Sequence, residues 1–145
     1  MRIALGSDMK NELTDALERI LRERGHEPEL FGALDPNADD AWPSVGRAVG
    51  EAVADRHCTQ GIVCCWTGTG VSIAANKVSG IRAALCTDAA TAEGARVWND
   101  ANVLALSLRS TSIPVAEEIV DAWFRGTPTD DPRYRAMIET IAAED

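Results

Sequence analysis

Short apolar runs alternate along this chain with longer stretches of helical period, and that alternation most limits what the chain can fold into. It is the pattern of parallel strands joined by helices, because parallel neighbours need a long return connection. Strands are predicted near Arg2–Ser7, Glu29–Phe31, Gly61–Cys65, Arg82–Cys86 and Val103–Ser107. Helices are predicted over Lys10–Arg24, Ser44–Asp55, Val71–Lys77, Ala89–Trp98, Pro114–Phe124 and Pro132–Ala143. The first is marked by Leu13, Leu17, Ile20 and Leu21 at helical spacing and by Gly25 as a stop; Pro114 suits the first turn of the fifth. The expected fold is α/β, a Rossmann-like three-layer sandwich of about five parallel strands with helices on both faces, with residues 1–145 forming one domain.

A length of 145 residues, 46% of them hydrophobic, suffices for a core without disulfides or structural metal. The apolar Met1–Leu5 segment gives way at once to Gly6-Ser7-Asp8, too short for a secretory leader, and no apolar run approaches the ~18 residues of a membrane span. A cytoplasmic location with no membrane partner is expected. The formal charge of −9, with no cluster of lysines or arginines, argues against nucleic acid as a partner, yet a small phosphorylated ligand needs only a few placed donors. Cys58, Cys64, Cys65 and Cys86 form no Cys-x-x-Cys pair and have no histidines at metal-ligand spacing, so neither a zinc site nor a disulfide framework is expected. Cys64 and Cys65 are adjacent, and on a strand they point to opposite faces.

The most informative segment runs from Gly61 to Lys77: an apolar strand, the turn Cys65-Trp66-Thr67-Gly68-Thr69-Gly70, and a helix. Gly68 and Gly70 allow backbone N–H groups to converge at a helix N-terminus, which favours an oxyanion or phosphate. A bare Gly-x-Gly also serves as a tight strand-to-helix turn with no chemical role. The thiol at its mouth shifts the balance, because a cysteine beside a helix N-terminus is activated towards the thiolate. Cys65 is therefore the candidate base, and the other three cysteines read as core. In open α/β sheets ligands bind beyond the carboxyl ends of the strands, which directs attention to Asp8, the Cys65–Gly70 loop, the Asp88 region and Arg109. The polar loop from Asp35 to Pro43 carries the aromatic Trp42.

On Arg2–Asp8, Cys65–Lys77, Gly80–Leu85 and Asn99–Ala105, the chain resembles the type B ribose-5-phosphate isomerases, a family that includes the galactose-6-phosphate isomerase subunits. The resemblance implies a Rossmann-like dimer or higher even oligomer, free of metal and cofactor, whose active sites combine residues of two subunits and act on a small phosphorylated sugar. It implies Cys65 as the base moving a proton between C2 and C1, with Thr67 serving the sugar oxygens. It places the enediolate on the amides of Gly68, Thr69 and Gly70, the hydroxyls on Asp8 and Asn99, and the phosphate on Arg109 and Arg133. Read alone, Asp8 also suits a turn cap, and each arginine a solvated surface cation.

The chain departs from the family pattern at the ring-opening and phosphate ends. Met9 stands where most members have a histidine, and Trp98 stands where a second, ring-opening histidine precedes the asparagine. The family shows two arginines four residues apart in the last helix; here they are Arg133 and Met137. Trp66 replaces a favoured glycine and Trp42 a common tyrosine. The expected function is aldose–ketose isomerisation of a pentose or tetrose phosphate through a cis-enediolate, the alternative being a non-catalytic sugar-phosphate-binding or partner subunit. A tetrose 4-phosphate cannot close a furanose ring, so an enzyme for such a sugar needs no ring-opening histidine.

Overall fold

A computed structural model describes residues Met1–Asp145. The strands are β1 (Arg2–Ser7), β2 (Glu27–Gly32), β3 (Gln60–Cys65), β4 (Ala83–Leu85) and β5 (Val103–Ser107). The helices are α1 (Glu12–Glu23), α2 (Trp42–Ala54), α3 (Thr69–Asn76), α4 (Ala89–Asn99), α5 (Ile113–Arg125) and α6 (Pro132–Ala142). All strand pairs are parallel, in the spatial order β2-β1-β3-β5-β4. The predicted elements are all present, with shifted ends. β2 is longer than expected and β4 shorter, and α2 starts at Trp42, so this residue belongs to the first helical turn beside Pro43 and not to the preceding loop.

Strand pleating sorts the side chains into two cores. Ile3, Leu5, Ile62, Cys64, Leu104 and Leu106 pack with α1, α4 and α5, while Ala4, Val63, Cys65, Val103 and Ala105 pack with α2 and α3. Cys64 and Cys65 thus face opposite layers, as adjacency on a strand requires. The connections follow the right-handed crossover rule. Moves towards the β2 edge use α1 and α4 on one face, and moves towards the β4 edge use α2 and α3 on the other. The α1 start is fixed by a capping box, in which Asn11 accepts from the N–H groups of Leu13 and Thr14, and its own N–H donates to Thr14 Oγ1 at 3.0 Å. The helix α6 lies outside α4 and contributes no buried residue. No helix is long and apolar enough to cross a membrane.

Candidate active site

The chain leaves β1 for one face of the sheet and β3 for the other, so a crevice opens beyond the carboxyl ends of these neighbouring strands. Asp8, the first residue past β1, donates its backbone N–H to the Cys64 carbonyl at 3.3 Å. Its Oδ1 is buried and has no hydrogen-bond partner. Burial raises the Asp8 carboxyl above its ordinary pKa, its own backbone hydrogen bond partly offsets this, and the negative charge of Asp40 adds to the rise. Asp8 is therefore no turn cap; it presents an oxygen that lacks a donor.

Cys65 ends β3 with only 5% of its surface exposed. Two elements hold the turn that follows. From the end of β5 and the residues just past it, Leu108 N–H donates to the Cys65 carbonyl at 2.9 Å, and both Arg109 N–H (3.0 Å) and Ser107 Oγ (2.9 Å) donate to the Trp66 carbonyl. Ser107 escaped the sequence reading; its signal is the register that sets it opposite Cys65. From within the turn, the Thr67 and Thr69 hydroxyls meet at 2.8 Å. Gly68 caps α3 with φ +76°, a left-handed conformation suited to glycine, and supplies no side-chain acceptor. Side chains do cap α1, α4, α5 and α6, through Asn11, Asp88, Ser112 and Asp131. The first amides of α3 are thus left for an external oxygen beside the Cys65 thiol.

Trp42 leans on this turn: a Cβ at Gly70 would stand 2.9 Å from its Cε3. Trp42 and Trp66 are both about half exposed, and Met9 beyond Asp8 is exposed too, so the rim is apolar. The other cysteines are unsuited to the same work. Burial, with Cys65 and Asp8 adding, pushes the Cys64 thiol far above its ordinary pKa, and burial first of all drives Cys58 and Cys86 to about 11 each.

The remaining candidates lie elsewhere in the protomer. Trp98 and Asn99 end α4, at the amino ends of the strands, where they line a cavity of about 630 Å³ with Ile81, Arg82, Tyr134 and Met137. Arg133 stands in the first turn of α6, next to Tyr134. Arg82, which sequence reasoning passed over, has its guanidinium occupied by Asp100. Within one chain the fold gathers Asp8, Met9, Trp42, Cys65, Thr67, Gly68, Thr69, Gly70 and Arg109, and leaves Trp98, Asn99 and Arg133 at the other end.

Comparison with known proteins bears on this layout. The Ribose/Galactose Isomerase family model matches residues 3–141. This chain belongs to that family. Ribose-5-phosphate isomerase B of Escherichia coli is 37% identical over 98% of this chain and 95% of its own length. The D-erythrulose-4-phosphate isomerase of Pectobacterium atrosepticum is also 37% identical, over 85% of this chain and 82% of its own. The structure of ribose-5-phosphate isomerase B from Clostridium thermocellum superimposes with a TM-score of 0.90 at 39% identity, covering 99% of this chain and 96% of that one. The fold expected from the sequence, a parallel α/β sandwich of this family, is the one observed.

Proposed function

We propose that the protein interconverts an aldose phosphate and its ketose through a cis-enediolate, with Cys65 as the base. The observation that carries this is the meeting of three features in one crevice: a nearly buried thiol, an uncapped helix N-terminus at Gly68, and the partnerless Oδ1 of Asp8. In this reading the Cys65 thiolate takes the proton from C2 of the aldose. The electron pair forms the C1–C2 double bond, and the charge developing on O1 settles on the amides at the start of α3. Thr67 relays a proton from the O2 hydroxyl to O1, and the thiol returns its own to C1, giving the ketose. Asp8 Oδ1 accepts from a substrate hydroxyl, which supplies the donor it lacks.

Arg109, Arg133 and Asn99 complete the reading only across two copies of the chain. A homodimer, or a larger even assembly, sets Asn99 and Arg133 of one protomer over Cys65 of its partner. The apolar, exposed Trp98, Met137 and Ile141 and the unburied α6 support a second copy as their cover.

For the substrate we favour a short sugar phosphate that stays open. Neither Met9 nor Trp98 transfers a proton, and equal identity to relatives named for a four-carbon and a five-carbon sugar leaves the length to the pocket. The test is incubation in heavy water with four-, five- and six-carbon aldose and ketose phosphates. Deuterium should enter at the carbons flanking the shift, fastest with the tetrose phosphate. Exchange with none of them would leave a sugar-phosphate-binding subunit.

A further inference from the structure

At the far end of β3 from Cys65, the fold brings together three side chains of different donor type. Glu29 lies on β2, and His57 and Cys58 lie in the turn between α2 and β3. Histidine Nε2 stands 2.8 Å from Glu29 Oε2, the Cys58 Sγ stands 3.8 Å from the same oxygen, and the three ligand atoms lie within 4.8 Å of one another. We propose that this cluster is a binding site for a zinc-class divalent cation, held by one nitrogen, one sulfur and one oxygen with a fourth position open to water.

The donor set selects the metal class. A mixed imidazole, thiolate and carboxylate set suits Zn²⁺ and Co²⁺, whereas Mg²⁺ and Ca²⁺ want oxygen alone. Size agrees with this. Bonds of about 2.0–2.3 Å in a tetrahedron place ligand atoms about 3.3–3.8 Å apart. The sulfur–oxygen pair already has that spacing, the histidine–carboxylate pair must open by about half an ångström, and the nitrogen–sulfur pair, within 4.8 Å, must close to it as the His57 side chain turns.

Two of the donors are held by the frame. Glu29 is fixed by β2 pairing opposite Ala4, and Cys58 by its N–H bond to the Ala52 carbonyl at 2.8 Å. His57, with its side chain 53% exposed, is the arm that can swing to close on the ion. Binding releases the Cys58 thiol proton to solvent and forms the metal–sulfur bond. Spacing along the sequence hides the site, because Glu29 lies 28 residues before His57 and only the parallel sheet brings them together. The site sits at the amino ends of the strands, apart from the crevice at the carboxyl ends, so its expected effect is to clamp the turn before β3 onto β2.

The test is a Co²⁺ titration of the full chain under a non-chelating reductant. A near-ultraviolet thiolate-to-cobalt band with intense tetrahedral visible bands should appear at one equivalent. The charge-transfer band should survive Cys65→Ala, vanish in Cys58→Ser, and require at least about ten-fold more cobalt in His57→Ala, a surface change that spares the fold. Zn²⁺ should raise the melting temperature of the wild type and not of His57→Ala. No band in the wild type, or a band that persists in Cys58→Ser, overturns the proposal and leaves a His57–Glu29 ion pair beside a core thiol. If Cys58→Ser does not fold, an unchanged cobalt affinity in His57→Ala overturns it equally.

Discussion

Cys64 and Cys65 differ by one position and by everything that matters chemically, so paired alanine substitutions separate their roles. Cys65→Ala should cut turnover by about 10²–10⁴-fold, the range of a positioned general base, with an unchanged circular dichroism spectrum. Cys64→Ala removes a fully buried sulfur from the layer shared with Leu5 and Leu106 and should cost about 1–2 kcal/mol with little loss of turnover. Comparable rates in wild type and Cys65→Ala would remove the thiol from the mechanism. Asp8 offers a second residue-scale test through pH. Its carboxyl is raised in the folded chain, chiefly by burial, so the native state favours the protonated form. Below about pH 4 folded and unfolded carboxyls are both neutral and no penalty arises; as pH rises through the folded pKa, ionisation costs stability. Asp8→Asn should therefore melt higher than wild type at neutral pH, with the gap closing on acidification, while losing activity. A gap that widens in acid would contradict this account.

Among the elements, the turn into α3 is the one whose backbone the proposed mechanism uses. A Cβ on Gly68 would meet Leu85 Cδ1 at 2.6 Å and the Leu106 carbonyl carbon at 2.9 Å, and the latter is backbone and cannot swing aside. Gly68→Ala should thus cost about 1–3 kcal/mol and displace the α3 amides, lowering turnover. Gly80 is the control. It also has a positive φ, of +81°, but nothing lies within 4 Å of its Cβ position, so Gly80→Ala should cost only the local ~1–2 kcal/mol and spare the rate. Equal kinetic losses in the two variants would show that α3 placement is not what Gly68 provides. These elements were largely legible beforehand, and the exceptions have physical causes. Helix periods in α1 and α5 announce buried faces, and strands β1, β3 and β5, covered on both sides, read as apolar runs. Edge strand β4 keeps only Ala83–Leu85, and no composition signal marks that limit. The start of α2 was hidden because Ala41 provides no side-chain cap, leaving Pro43 as the only marker.

For the whole molecule, the decisive fact is that the topology separates what the motifs listed together. The order of motifs along a sequence says nothing about which end of the sheet each reaches: α4 runs back from β4, carrying Trp98 and Asn99 away from Cys65. If partners complete each other's sites, sedimentation should show a dimer or larger even species at micromolar concentration. Mixing inactive Cys65→Ala with inactive Arg133→Ala should then restore about a quarter of the wild-type activity, since half the random dimers are mixed and each holds one intact site. No recovery after verified exchange would overturn the shared site. The proposed dimer would set Trp98 over the partner's Cys65, and this yields the sharpest test of substrate choice. Opening a furanose needs proton transfer to the ring oxygen and from the anomeric hydroxyl, work worth about a hundred-fold or more when a positioned group performs it. Indole and thioether side chains cannot perform it, so ribose 5-phosphate should react only through its free open-chain fraction. Trp98→His places an imidazole at the position and should raise kcat/KM for ring-forming pentose phosphates while leaving a tetrose phosphate, which has no ring to open, nearly unchanged. Should the native enzyme already turn over ribose 5-phosphate near the diffusional ceiling of about 10⁸ M⁻¹s⁻¹, or should the variant help both sugars alike, the preference for an open substrate is wrong.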